Sequence, residues 1–306
     1  MISLRYHIIT IVAVFLALAV GTLVGGAFVQ PVLQRQLEDR TRELSAALDE
    51  RRQEIDELRA QLEALNAFAG GAAPYLTANR LLGEQVVVVA QEGIEDGLIG
   101  QTQRSLVDAG ANLVAVVSAR RQLASEDPDT RSRLAEALGS FGSAGDDLAP
   151  LAATRLAERL ANGSGGASAE EDVLARLLSE GFLAPIGSGL SEGTLEQVGT
   201  DGQIVVVLAG GPDEAPMLPL DVFTLPLVRR LAELGVPVAA GESSTTVVPF
   251  VAEVRGSGNG ALVTVDDLDL VAGGAALVLG LDRLLLTGEG GAYGTKDGAD
   301  PLPRLP

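Results

Sequence analysis

Apolar positions along the chain change their rhythm twice. From Ile8 to Val29 they form a continuous run of 22 residues with no charge. From residue 34 to about 66 they return at alternating steps of four and three, in a stretch free of Gly and Pro. Beyond about residue 80, short Val-rich runs alternate with segments of helical spacing. The three patterns predict a membrane-spanning helix, a coiled-coil stalk and a doubly wound, mostly parallel α/β domain.

A helix over Ile8–Val29 would measure about 33 Å, enough for a hydrocarbon core of roughly 30 Å. The competing reading is a cleaved signal peptide. Its apolar region runs to only about 7–15 residues and ends at a small-x-small site, and Ala27-Phe28-Val29 makes a poor one. Arg5 and the amino terminus lie on the short side, which predicts a cytoplasmic N-terminus and an extracytoplasmic remainder; Arg35, Glu38, Asp39 and Arg40 on the far side keep that bias mild. Ala13, Ala17, Gly21 and Gly25 recur every four residues, a small-residue stripe along which two helices can approach closely. Chance in an Ala/Gly-rich chain produces such a stripe too.

In the second segment Thr41, Leu48, Ile55 and Leu62 occupy heptad position a, and Leu37, Leu44, Arg51, Leu58 and Leu65 occupy d, with Glu, Asp, Arg and Gln filling most other places. A stripe confined to a and d suits a narrow two-helix seam better than a broad core face. The expected interface is Leu37, Leu44, Leu48, Ile55, Leu58, Leu62 and Leu65 in a homodimer. A helix folded back on its own domain, or a lone solvated helix, fits the same spacing. Arg51 interrupts the d row and weakens the seam.

Gly70-Gly71-Ala72-Ala73-Pro74 is expected to end this helix and open a linker. Strands are expected at 86–90, 112–117, 204–208, 236–240 and 261–265, with helices near 97–109, 129–139, 147–161, 170–180, 219–234 and 273–286. Continuous Val-rich strands between helices imply a sheet covered on both faces. The stretch 140–172, rich in Gly, Ser, Ala and Asp, reads as an insertion. The expected division is an anchor over 1–30, a stalk over 31–68, an α/β domain over 80–287 and a disordered tail over 288–306.

Composition narrows the chemistry. The 306 residues carry 41 acids against 22 bases, a net charge of −19, which argues against nucleic acid and against anionic lipid surfaces. Cysteine is absent, so disulfides and thiolates are excluded; His7, at the membrane edge, is the only imidazole. Ser243 therefore has no histidine base to activate it. In a doubly wound sheet ligands sit beyond the carboxyl ends of strands. The loops there are Gln91-Glu92-Gly93, Gly210-Gly211-Pro212-Asp213 and Gly241-Glu242-Ser243-Ser244, and none holds a dinucleotide or P-loop motif. The acidic runs Glu126-Asp127-Pro128-Asp129, Asp146-Asp147, Glu170-Glu171-Asp172 and Asp266-Asp267-Leu268-Asp269 offer oxygen ligands for hard cations, but most stand at expected helix starts, where capping is the commoner use. A carboxylate pair for glycoside cleavage would need two of these acids to meet in space. No catalytic, cofactor or metal residue is assigned.

The opening Met1-Ile-Ser-Leu-Arg-Tyr-His-Ile-Ile-Thr-Ile-Val-Ala-Val-Phe-Leu-Ala-Leu-Ala-Val-Gly and the heptad segment after it resemble the actinobacterial MctB-type family. The likeness returns at Val265-Asp266-Asp267, Gly273, the helix 275–281 and Gly291-Ala292-Tyr293-Gly294, so it runs from end to end. Membership implies copper transport or homeostasis at the cell envelope, with an outer-membrane location as the family's alternative. A related branch, the SteB-like proteins, implies control of peptidoglycan hydrolases during cell separation.

Two functions are therefore expected. The resemblance implies copper transport or homeostasis. The residue chemistry, with Met1 and Met217 the only thioethers and no cysteine, favours a non-enzymatic coiled-coil scaffold with a cell-division or hydrolase partner.

Overall fold

The computed structural model describes residues 4–140, 147–168, 170–187, 192–211, 217–257 and 261–303; within the first helix it describes side chains over 6–24 and 40–77. The chain divides into two units, Met1–Leu65 and Asn66–Pro306.

The first unit is helical throughout its described length, as part of α1, Leu4–Thr77. Tyr6–Val24 has a mean hydropathy of 2.5 and is long and apolar enough to cross a membrane by length and composition. Thr10 and Thr22 direct their hydroxyls back to the carbonyls of Tyr6 and Leu18 at 2.8 and 2.9 Å, so these two hydroxyls are satisfied within the helix. Further along, Leu44, Leu48, Ile55, Leu58, Leu62 and Leu65 are all exposed, between 47% and 66%. Charged neighbours pair at i,i+3: Arg51 with Glu54 at 2.6 Å, Arg52 with Asp49 at 3.4 Å and Arg59 with Asp56 at 3.6 Å.

In the second unit α1 continues through Gly70, Gly71 and Pro74 to Thr77 instead of ending in a linker. Tertiary packing accounts for this. Asn66, Ala69, Ala72, Ala73 and Thr77 are wholly or partly buried at helical spacing, and Leu81 just beyond is fully buried and donates its N–H to Ala109 O. Burial of one face outweighs the weak helix propensity of two glycines and a proline.

The domain is a seven-stranded sheet in the order β3-β2-β1-β4-β5-β6-β7. The strands are β1 Gln85–Gln91, β2 Asn112–Ala119, β3 Leu183–Pro185, β4 Ile204–Leu208, β5 Val238–Gly241, β6 Leu262–Val265 and β7 Gly291–Tyr293. β2–β3 is antiparallel and the other described pairings are parallel. Successive residues of one strand face opposite cores. Val87, Val89, Val205 and Val207 pack beneath α3 Pro128–Ala137, α4 Leu148–Asn162, α5 Val173–Ser179, α7 Thr224–Glu233 and α8 Phe250–Gly256. Val86, Val88, Ile204 and Val206 pack against α2 Asp96–Asp108 and α9 Val271–Thr287. Both faces are covered, as Val-rich parallel strands require.

Two further expectations are corrected. Within the stretch read as an insertion, α4 buries Leu148, Ala152, Leu156 and Leu160 in the larger core. The segment read as a disordered tail contains β7, and Tyr293 there is 2% exposed. Gly290 and Gly291 serve close packing rather than freedom, since a Cβ at Gly290 would run into Leu262 O and one at Gly291 into the Tyr293 ring. β3, α8 and the short helix α6 Glu192–Gln197 also went unanticipated, being too short to show a period.

Candidate functional site

The carboxyl ends of the parallel strands gather side chains that lie far apart in the sequence. β1 lies between β2 and β4, so the strand order reverses there, the position at which such sheets open a crevice. The edge has two halves of different character.

The half by β1 and β4 is organised by Gln91, which closes β1 at 2% exposure. Its Nε2 donates to Leu218 O at 2.6 Å, and its Oε1 accepts from Gly210 N at 3.4 Å. Gly210 sits at φ +92°, and a Cβ there would lie 2.7 Å from Thr246 Cγ2, so glycine is needed for both reasons. Beside Gln91, Glu92 accepts from Arg121 N at 2.7 Å and from the Arg120 guanidinium at 3.1 Å. Burial works to raise the Glu92 pKa, yet these two donors outweigh it and hold the carboxyl below its ordinary value. A groove of about 730 Å³ opens here, lined by Leu123, Ser125, Glu126, Arg131, Leu148 and Val222 among others. Of the turn after β4, Pro212 and Asp213 lie outside the described residues.

The half by β5, β6 and β7 is a buried charge cluster. Glu242, fully buried after β5, takes Lys296 Nζ on Oε1 at 2.7 Å and Val251 N on Oε2 at 2.9 Å. Asp266, fully buried after β6, takes Arg255 on Oδ2 at 2.8 Å, and Thr295 N and Lys296 N on Oδ1 at 2.7 and 3.1 Å. Arg255 also reaches Thr264 Oγ1 and Tyr293 O, both at 2.9 Å. Asp269 binds Ser244 through N and Oγ, each at 2.6 Å. Asp267 differs: it is 3% exposed, and its Oδ1 is buried without a hydrogen-bond partner. Burial, reinforced by the negative charges of Asp266 and Asp269, pushes its pKa up to about 6.

The cluster joins α8 and the C-terminal segment to the strand ends, and it can take up a proton at Asp267. Ser243 finds Thr245 Oγ1 at 2.9 Å rather than a base. Among the described residues no group of three or more His, Cys, Asp or Glu converges to hold a metal ion.

Capping holds for some acidic runs and not others. Asp127 accepts Thr130 N at 2.9 Å, and Asp172 accepts Leu174 N at 3.1 Å while also pairing with buried Arg159 at 2.7 Å. Asp147 stands before α4 without a side-chain cap, and Asp146 lies outside the described residues. The 266–269 run does not cap α9; it forms the cluster.

Of the expected helix-packing residues, Ala13, Ala17 and Gly21 are exposed on α1, as are the six heptad residues from Leu44 to Leu65. The side chains of Gly25 and Leu37 lie outside the described residues. Sequence reading missed Arg255, Lys296 and Tyr293 as members of a site. One signal was available: Lys296 is the only lysine in the chain.

The segments that carried the family likeness near the C-terminus form one piece of structure. Asp266 N donates to Tyr293 O, β6 and β7 pair from Val263↔Gly291 to Val265↔Tyr293, and a Cβ at Gly273 or Gly294 would run into Asp267 or Asp266. Comparison with known proteins agrees. Residues 1–303 match the family described as "Copper transport outer membrane protein, MctB". A Mycobacterium tuberculosis (strain ATCC 25618 / H37Rv) protein named Copper transporter MctB is 27% identical over 315 residues, covering 98% of each chain. A Mycobacterium leprae (strain TN) protein of the same name is 26% identical over 318 residues, covering 99% of each.

Proposed function

Because the chain belongs to the MctB family, we propose that it is a membrane-anchored, non-enzymatic envelope protein acting in copper transport or homeostasis. The observation that carries this reading is the length of the match. It spans residues 1–303 and so takes in the apolar helix, the heptad segment and the whole α/β domain. The relatives named copper transporters align over nearly their full length as well.

Copper enters this reading as cargo. Its preferred soft ligands are scarce: cysteine is absent, and Met217, 55% exposed at the carboxyl edge, is the only methionine among the described residues. The reading therefore assigns no soft-ligand cage to the domain. The buried carboxylates have another use, because Glu242 and Asp266 are neutralised by Lys296 and Arg255 and secure the C-terminal strand. Tyr6–Val24 supplies the anchor, with the N-terminus inside and the domain outside.

Deleting the gene in its native host tests the reading. Cellular copper should rise and copper tolerance should fall, and the full chain should restore both where a chain lacking residues 4–29 does not. Unchanged copper content and tolerance would overturn the proposal. Cells that instead fail to separate, with normal copper, would point to control of peptidoglycan hydrolases. Reporter fusions at either end read the orientation.

A further inference from the structure

We infer that the exposed heptad face of α1 is an interface with a second copy of this chain, packed parallel and in register. The seam is made of Leu44, Leu48, Ile55, Leu58, Leu62 and Leu65, all between 47% and 66% exposed in the single chain. Six large aliphatic side chains in one narrow line, flanked by charge, are what a two-stranded coiled coil leaves open until its partner arrives. Leu at the d positions 44, 58 and 65, with Ile55 at a, suits two strands.

Charge complementarity identifies the partner and its direction. In the heptad, Glu54 is a g position and Arg59 the e position of the next repeat. In a parallel, in-register pair of identical chains, Glu54 of one copy faces Arg59 of the other, twice by symmetry. An antiparallel pair would instead set e against e, where Arg52 and Arg59 repel. Within one chain Glu54 already holds Arg51 at 2.6 Å, and this draws the guanidinium that interrupts the d row toward the rim of the seam. The Arg59–Asp56 contact is looser, at 3.6 Å. Parallel packing also places both Tyr6–Val24 segments at the same end, as two chains in one membrane require.

The chain has no cysteine, so single introduced cysteines report geometry without background. The full chain in its native membrane should cross-link to a dimer through Leu44→Cys, Leu58→Cys or Leu65→Cys with a short thiol-specific reagent. The f-position control Ala60→Cys should stay monomeric. Glu54→Arg should lower the Leu58→Cys yield by about two- to fivefold, an effect sized for a rim ion pair, and adding Arg59→Glu should restore it. Arg51→Leu should tighten the dimer by about tenfold, because a d-layer leucine replaces a charge. Cross-linking of Leu44→Cys only to Leu65→Cys would show an antiparallel pair and overturn the proposal. Equal yields at Ala60→Cys and Leu58→Cys, or monomers throughout, would do the same. Because the charge swap restores pairing although it removes the Arg51–Glu54 and Arg59–Asp56 pairs within each helix, loss through a weakened helix is told apart from loss of the interface.

Discussion

Arg51 and Glu54 stand 2.6 Å apart on α1 with 75% and 55% of their side chains exposed, whereas Arg255 and Asp266 stand 2.8 Å apart with 16% and 0% exposed. The distances are nearly equal and the energetics are not. On α1 both groups keep their water, so forming or breaking the pair changes little, about 0–1 kcal/mol. At the sheet edge Asp266 has lost its water and depends on Arg255, Thr295 N and Lys296 N for replacement. The same chemistry decorates a surface in one region and locks strands together in the other.

The hardest test of that contrast is Asp266→Ala, which strands Arg255 near the core. It should cost about 3–5 kcal/mol of domain stability, while Glu54→Ala costs less than about 1 kcal/mol, both read by denaturant unfolding. Replacing both partners, Arg255→Met with Asp266→Leu, should recover most of the loss, since the penalty comes from the uncompensated charge. If Asp266→Ala unfolded no more easily than Glu54→Ala, the cluster would be peripheral.

Glycine substitutions sharpen the same contrast with opposite signs. A Cβ at Gly273 would meet the backbone oxygen of Asp267, which cannot give way, so Gly273→Ala should destabilise by about 1–3 kcal/mol. At Gly71, on exposed helix with nothing within 4 Å, alanine should stabilise by up to about 1 kcal/mol. Thermal melts of the two variants should move in opposite directions.

Legibility follows the range of the interactions. The α1 pattern is written in steps of three and four residues, so its period could be read directly, as could the Val-rich strands β1, β2 and β4, whose packing partners lie on both faces. Boundaries failed where tertiary contact decided them: Thr77 and its neighbours hold α1 helical through Gly70 and Pro74, and Leu262 and Tyr293 order Gly290 and Gly291. The charge cluster was hidden because its pairs span the fold. Glu242 meets Lys296 54 residues on, and Asp266 meets Thr295 29 residues on. An acidic run at a helix start looks the same in sequence whether it caps the helix, as Asp127 does, or turns inward, as Asp266 does.

Asp267 offers a pH-dependent test of the cluster. Its folded pKa of about 6 stands above the ordinary 3.8, so between those values the folded chain holds a proton that the unfolded chain has released. Asp267 therefore withdraws stability as pH rises through that window, and the loss is complete above it. Asn has the same shape and no charge to bury. The melting temperature of Asp267→Asn should match the parent near pH 4 and exceed it by about 2–4 °C near pH 7.5. A constant offset at both values would mean that the carboxyl keeps its ordinary pKa and that the unpaired oxygen finds water.

The smallest expected effect separates the two regions most cleanly. Leu58 is 52% exposed, so Leu58→Glu removes no buried contact within one chain, and domain stability should move by no more than about 0.5 kcal/mol. The same change puts a charge in the middle of the leucine seam, and cross-linking through Leu44→Cys should disappear. Unfolding followed by tyrosine fluorescence reads the first quantity, because Tyr293 is buried under α9 at the sheet edge while Tyr6 and Tyr75 are already exposed. A domain that lost 2 kcal/mol or more on this substitution would mean that Leu58 packs against it in solution, and the leucine line would then belong to the chain's own core instead of facing a second copy.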